Sequence, residues 1–214
     1  MIGRLILTPI RLAIVGLGVA WVADRLLRLL ARGAPPEPIR SLVVIDARID
    51  GVWDVVVDIE RQPIWMREMK AVRVLTPGPV GVGTRGEATV RVLGITTIDP
   101  VTVSQFEPPT RFAIRHEGAF TGSGLITLES GADGTTTILR WEETLIAPAL
   151  PHVAAAAMAP VMRSIFQGDL LRLRDLIEGE ARAASGRRQP GDDADPARQP
   201  SETGLDDLPA STTV

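Results

Sequence analysis

Two titratable side chains in the middle of the sequence have the pattern expected of groups inside a binding cavity. His116 and Glu143 each lie in a run of alternating apolar and polar residues that is typical of a β-strand, at 111–118 and 135–145. Side chains two positions apart share a face of a strand, and both residues fall on the apolar face. We therefore expect both to point inward. The predicted ligand-binding residues are Phe112, Ile114, His116, Leu139, Trp141 and Glu143.

A buried histidine and glutamate can act as acid and base, because burial and their mutual charge shift both pKa values toward neutrality. The two strands flank a third, so at about 4.8 Å per strand the side chains are expected to lie about 10 Å apart. That distance leaves room for a small ligand or a bridging water. The alternative is a hydrogen-bonded core pair, or two residues at the rim, and a register shift of one residue would turn either side chain outward.

Several kinds of chemistry are disfavoured by composition. The chain has no cysteine and no tyrosine, and its two histidines are His116 and His152. Disulfides and thiolate sites are excluded, and a histidine-rich zinc site is not expected. The glycines between Gly81 and Gly86 do not open a helix, so they indicate a hairpin turn and not a phosphate-binding loop. We predict no metal and no cofactor.

The charges are unevenly distributed along the chain. Residues 1–40 hold six arginines and two acids, whereas residues 185–214 hold six acids and three arginines. The middle, residues 41–184, is mildly acidic with 14 basic and 18 acidic residues, which argues against nucleic-acid binding. The basic end is also the apolar end, and this combination points to a membrane as a partner. The oligomeric state stays open.

The N-terminal segment has the length of a membrane span. Residues 5–23 carry one charge, Arg11, and as a helix they would extend about 28 Å, close to the roughly 30 Å bilayer core. We predict a membrane helix within residues 1–33. The arginines that follow it place the next domain in the cytoplasm, so the predicted localisation is the cell membrane, single-pass.

Three alternatives to a span remain open for this segment. The first is a helix lying in the membrane interface, because four arginines recur at heptad spacing and form one stripe. They are Arg4, Arg11, Arg25 and Arg32. The second is a cleaved signal peptide, although no small-residue cleavage site precedes the Pro-rich segment. The third is an extra helix of the soluble domain, which the apolar character of residues 12–23 on every face disfavours.

The remaining chain predicts an α+β domain of the helix-grip type. Strand-like runs separated by turn residues fall at 41–48, 71–75, 84–93, 101–107, 111–117, 124–129 and 135–145. Two short helices are predicted at 52–59 and 63–69, and a long one at 152–184. The apolar residues that recur at about 3.6-residue spacing in the long helix are Val161, Ile165, Leu170, Leu173 and Ile177. One helix covers the apolar face of a curved seven-stranded antiparallel sheet only in part, so an elongated cavity is expected. The domains are a membrane helix (1–33), a Pro-rich linker (34–40), the helix-grip domain (41–184) and a disordered tail (185–214).

Four stretches of this domain resemble the SRPBCC (START-like) superfamily, which includes polyketide cyclase/dehydrase-related proteins and START lipid-transfer domains. Residues 50–60 (DGVWDVVVDIE), followed by Pro63 and Trp65, resemble its opening helix pair. Residues 101–112 (VTVSQFEPPTRF) resemble its central strand and turn, and 122–128 and 137–143 resemble later strands. The resemblance implies the helix-grip fold and binding of lipids, sterols, polyketides or hormones, with cyclisation in some members.

We therefore predict a membrane-tethered, non-catalytic module that binds an apolar small molecule or lipid. The alternative is a polyketide cyclase/dehydrase-type enzyme acting on a hydrophobic substrate. The resemblance includes aromatic cyclases, which use arginine and tyrosine side chains in the pocket. This chain has no tyrosine, which argues against the same mechanism here. A third interpretation is a structural module whose cavity is collapsed.

Overall fold

In a computed structural model, the backbone of residues 2–187 and the side chains of residues 9–184 are described. The described residues form four α-helices, one 3₁₀ turn (Ile59–Arg61) and seven strands. Their bounds are α1 (Ile2–Leu30), β1 (Ile39–Ile45), α2 (Ile49–Val57), α3 (Gln62–Trp65), β2 (Met69–Val74), β3 (Arg85–Val92), β4 (Ile95–Glu107), β5 (Arg111–Glu117), β6 (Thr121–Ser130), β7 (Thr137–Ile146) and α4 (Pro151–Arg187).

The seven strands form one antiparallel sheet in the order β1-β7-β6-β5-β4-β3-β2. Strands β2 to β7 pair with their sequence neighbours, as short connections predict. The predicted helix-grip architecture, a curved seven-stranded sheet with a long C-terminal helix, is confirmed. Strand β4 starts at Ile95, six residues earlier than predicted, because Leu93 and Gly94 both have positive φ and make a tight hairpin turn there.

Helix α4 packs on the sheet through a row of apolar side chains. Leu170 and Leu173 are fully buried, and Ile177 and Phe166 are nearly so. The apolar face predicted for this helix is therefore the face that packs against the core. Val161, predicted to belong to the same row, is 37% exposed.

The membrane-spanning helix predicted within residues 1–33 is not found. The segment is helical as α1, but within residues 2–187 no helix is long and apolar enough to cross a membrane. Arg11 lies within the apolar run of residues 5–23, and the charged residues Asp24 and Arg25 follow it directly. Asp24 is buried and accepts hydrogen bonds from the backbone N–H groups of His152 and Val153, so it caps the start of α4.

The tail predicted to be disordered, residues 185–214, lies outside the described residues, except that the backbone of α4 continues to Arg187. The predicted Pro-rich linker, residues 34–40, connects α1 to the sheet, and β1 already begins at Ile39.

Candidate functional site

A cavity of about 480 Å³ lies between α4 and the concave face of the sheet. This volume is within the usual range for small-molecule sites, which is about 300–1,000 Å³. Most of the side chains around it are apolar and come from β2 to β7 and from α4, among them Val72, Val103, Ile126, Met158, Ile165 and Phe166. Leu93, Ile95 and Phe120 line the cavity and are also exposed, so they mark its opening.

Five of the six predicted ligand-binding residues line this cavity, namely Phe112, Ile114, His116, Trp141 and Glu143. Their role in binding stays a prediction. Leu139 does not line the cavity, and its prediction as a lining residue was wrong. It is fully buried, and its partners in the neighbouring strands, Val43 and Leu128, are buried as well, so the core fills that end of the sheet.

One polar part of the lining is a cluster of four side chains centred on His116. Its Nδ1 lies 2.5 Å from Asp99 Oδ2, and its Nε2 lies 2.6 Å from Glu143 Oε1. Trp141 Nε1 donates to Glu143 Oε2 over 2.8 Å. The predicted gap of about 10 Å between His116 and Glu143 is therefore wrong, because the side chains meet directly across β6.

Glycine in β6 makes this contact possible. Gly124 pairs with Ile114 of β5 on one side and with Glu143 of β7 on the other. A Cβ atom at position 124 would lie 2.5 Å from Glu143 Oε2. Because Gly124 has no side chain, the carboxylate can occupy the space above β6 and reach the imidazole.

Asp99 was missed by the sequence prediction, which begins this strand at Val101. In the structure Pro100 lies inside β4, and the strand continues back to Ile95. Side chains of a strand alternate between its two faces, so Asp99 and Val101 share the inward face of the buried Val103. Val101 pairs with His116 of the neighbouring strand, which would have placed Asp99 close to His116.

The cluster keeps His116 protonated. Burial alone would lower the pKa of His116, but the hydrogen bonds and charges of Asp99 and Glu143 outweigh it and raise the pKa to about 10. At neutral pH both ring nitrogens therefore donate to carboxylate oxygens. With both carboxylates ionised, this group carries one net negative charge beside an apolar cavity.

A second pair of carboxylates lines the cavity near α3 and α4. Asp169 is 2% exposed, accepts a hydrogen bond of 3.0 Å from Arg67 N and pairs with Arg172. Burial raises the pKa of Asp169, against the opposing effect of those two donors. Glu68 lies near it, and its buried Oε2 atom has no hydrogen-bond partner among the described residues.

Within the part of the chain that the structure describes, no group of three His, Asp or Glu side chains is arranged to hold a metal ion. The imidazole of His116 already has a carboxylate at each nitrogen. The prediction that the protein uses neither a metal nor a cofactor stays a prediction.

Comparisons with known proteins agree with this architecture. A family model described as polyketide cyclase/dehydrase and lipid transport matches residues 39–178. A START superfamily protein from Mycobacterium smegmatis is 15% identical with a TM-score of 0.51, and the match covers 69% of this chain and 99% of that one. No protein with a curated description matches the chain.

Two further solved structures are similar. The Zhui aromatase/cyclase of a Streptomyces species is 18% identical with a TM-score of 0.55, over 69% of this chain and 96% of that one. A protein from Thermus thermophilus is 17% identical with a TM-score of 0.56, over 67% and 99% of the two chains. At these identities the similarity shows the fold.

Proposed function

Because the chain belongs to the polyketide cyclase/dehydrase and lipid transport family, we propose that its domain binds an apolar small molecule or lipid in the cavity beneath α4. The observation that carries this proposal is the cavity of about 480 Å³ with mostly apolar walls. Burial of apolar ligand surface releases roughly 25 cal/mol per Å². We expect micromolar binding or tighter, which corresponds to about −8 kcal/mol.

The state of His116 supports a binding protein over an enzyme. A general base has to be unprotonated at the working pH. The two carboxylates raise the pKa of His116 to about 10 against the effect of burial, and both ring nitrogens face those carboxylates. The imidazolium is therefore a poor proton acceptor at neutral pH.

The second candidate is a cyclase/dehydrase-type enzyme, and the same cluster favours it, since an imidazole and two carboxylates lie at the wall of an apolar cavity. His116→Ala separates the two candidates. For a binder this substitution changes affinity modestly. For an enzyme it lowers turnover by about 10²-fold or more while binding is retained.

Filling the cavity tests the binding proposal. Ala155 lines the cavity from α4, whereas its neighbour Ala156 is exposed. In Ala155→Trp the indole occupies ligand space, so binding of a neutral apolar dye should weaken by about tenfold or more, or about 1.4 kcal/mol. The measurement is a fluorescence titration. Ala156→Trp is the matched control and should bind like wild type. Equal affinity in Ala155→Trp and wild type would contradict the proposal.

We also propose that α1 lies in the interface of the cell membrane and holds the domain there, on the cytoplasmic side. Supporting this, many apolar side chains of the helix are half or more exposed, among them Leu12, Ile14, Val15, Leu17, Val19 and Trp21. The arginines of the same helix suit the anionic lipids of the cytoplasmic leaflet.

Membrane attachment predicts that the full chain sediments with vesicles of anionic phospholipid. Val15→Glu combined with Val19→Glu places two charges on the exposed apolar surface of α1 and should abolish sedimentation. Leu42→Glu combined with Val44→Glu, at two exposed positions of β1, is the control and should leave it unchanged. If the α1 variant sediments like wild type, α1 is not the membrane contact.

A further inference from the structure

Carboxylates dominate the charged groups around the cavity. Glu68, Asp99, Glu143 and Asp169 all line it, with the exposed Glu37, and the positive groups that offset them are His116 and Arg172. Arg85 is also in the lining, but it is exposed and its charge acts on Glu117 of the outer face. The cavity wall therefore has a net negative charge.

Apart from the exposed Arg85, the charged and aromatic hydrogen-bond donors at the wall already have partners. Both nitrogens of His116 and the indole N–H of Trp141 face carboxylate oxygens. Arg172 donates to the backbone oxygen of Trp65 and to Asp169. Two carboxylate oxygens of the lining, Glu68 Oε2 and Asp99 Oδ1, are buried with no hydrogen-bond partner in the described part of the chain. Asp99 already binds His116 through its other oxygen, which leaves Glu68 as the carboxylate without a cationic partner.

We infer that the natural ligand is an apolar molecule that ends in a protonated amine, held beside the Glu68 carboxylate, and that ligands ending in a carboxylate are excluded. This inference rests on the proposed function and specifies its ligand class. An ammonium group supplies N–H donors and a positive charge to an unpartnered carboxylate. A ligand carboxylate buried in the cavity would lose its water, find no unpaired buried cation among the described lining residues, since Arg85 is exposed, and face like charges at low dielectric.

Three alkyl compounds of equal chain length test the ligand class: dodecylamine, dodecanol and dodecanoate, each displacing a neutral apolar dye from the full-length protein at neutral pH. The expected order of affinity is amine, then alcohol, then carboxylate. We expect at least about a tenfold difference between the amine and the carboxylate. A carboxylate that binds as tightly as the amine would overturn the inference while the proposed function stands. Failure of the dye and of all three compounds to bind would overturn both.

Glu68→Gln tests the role of the carboxylate itself. The substitution preserves shape and removes the charge, so the ratio of amine affinity to alcohol affinity should fall by about tenfold. Glu142→Gln is the matched control, because Glu142 belongs to the other face of β7 and pairs with the exposed Arg40. If Glu68→Gln keeps the wild-type preference, Glu68 does not hold the amine and the inference is wrong.

Discussion

Leu173→Asp is expected to prevent the domain from folding. Leu173 is fully buried in the centre of the core, where α4 packs against the sheet. An unpaired carboxylate at this position costs several kcal/mol, which approaches the whole stability of a domain, about 5–15 kcal/mol. Circular dichroism and thermal melting should show no cooperative transition.

Leu171→Asp provides the control for this substitution, because Leu171 lies on the same helix and is 39% exposed. Its melting temperature should stay close to that of wild type. Wild-type melting of Leu173→Asp would mean that α4 presents a different face to the sheet.

The stability of the wild-type protein is expected to decrease between about pH 7 and pH 10. The carboxylates raise the pKa of His116 from 6.5 to about 10 in the folded state, against the effect of burial. A group whose pKa is raised by folding contributes its full stability below the unfolded value and loses it as the pH rises through the folded value. The expected loss is on the order of several kcal/mol.

This pH range suits the experiment because few other groups titrate in it. The chain has no tyrosine and no cysteine, and Lys70 is its one lysine. Urea denaturation at pH 7 and pH 10 measures the change. His116→Gln should be less stable than wild type at pH 7 by about 3–5 kcal/mol, because it leaves the buried Glu143 and the partly buried Asp99 without their positive partner. The difference should narrow at pH 10.

His152→Gln removes the other histidine and is the control, which should keep the pH dependence of wild type. A wild-type protein that is equally stable at pH 7 and pH 10 would show that His116 is not held as an imidazolium by Asp99 and Glu143.

The fold could be predicted because the alternation of apolar and polar residues, and the residues that form turns, are visible within short stretches of the sequence. The apolar period of the long helix and the inward positions of His116 and Glu143 follow from patterns within a few residues of each side chain. Both residues line the cavity as expected.

The arrangement of the cluster was not predictable in the same way. Strand spacing places the backbones of β5 and β7 on either side of β6, but the reach of Glu143 over Gly124 depends on a glycine in a strand between them. Whether Leu139 meets a cavity or a filled core depends on how closely α4 approaches the sheet at that position, and the sequence of β7 does not contain that information.

The prediction of a membrane span for α1 failed for a different reason. Its apolar run has the length of a membrane span, yet Asp24 at the end of that run is buried as the cap of α4, more than a hundred residues later in the chain. A contact over that separation cannot be read from the local pattern of either segment.

Native mass spectrometry of the full-length protein tests the central claim, occupation of the cavity by an apolar molecule, most directly. After incubation with a total lipid extract, the predicted result is one small molecule bound per chain, lost on denaturation. The adduct should be absent in Ala155→Trp and present in Ala156→Trp. A spectrum that shows the bare chain in wild type, or the same adduct in all three proteins, would contradict the account.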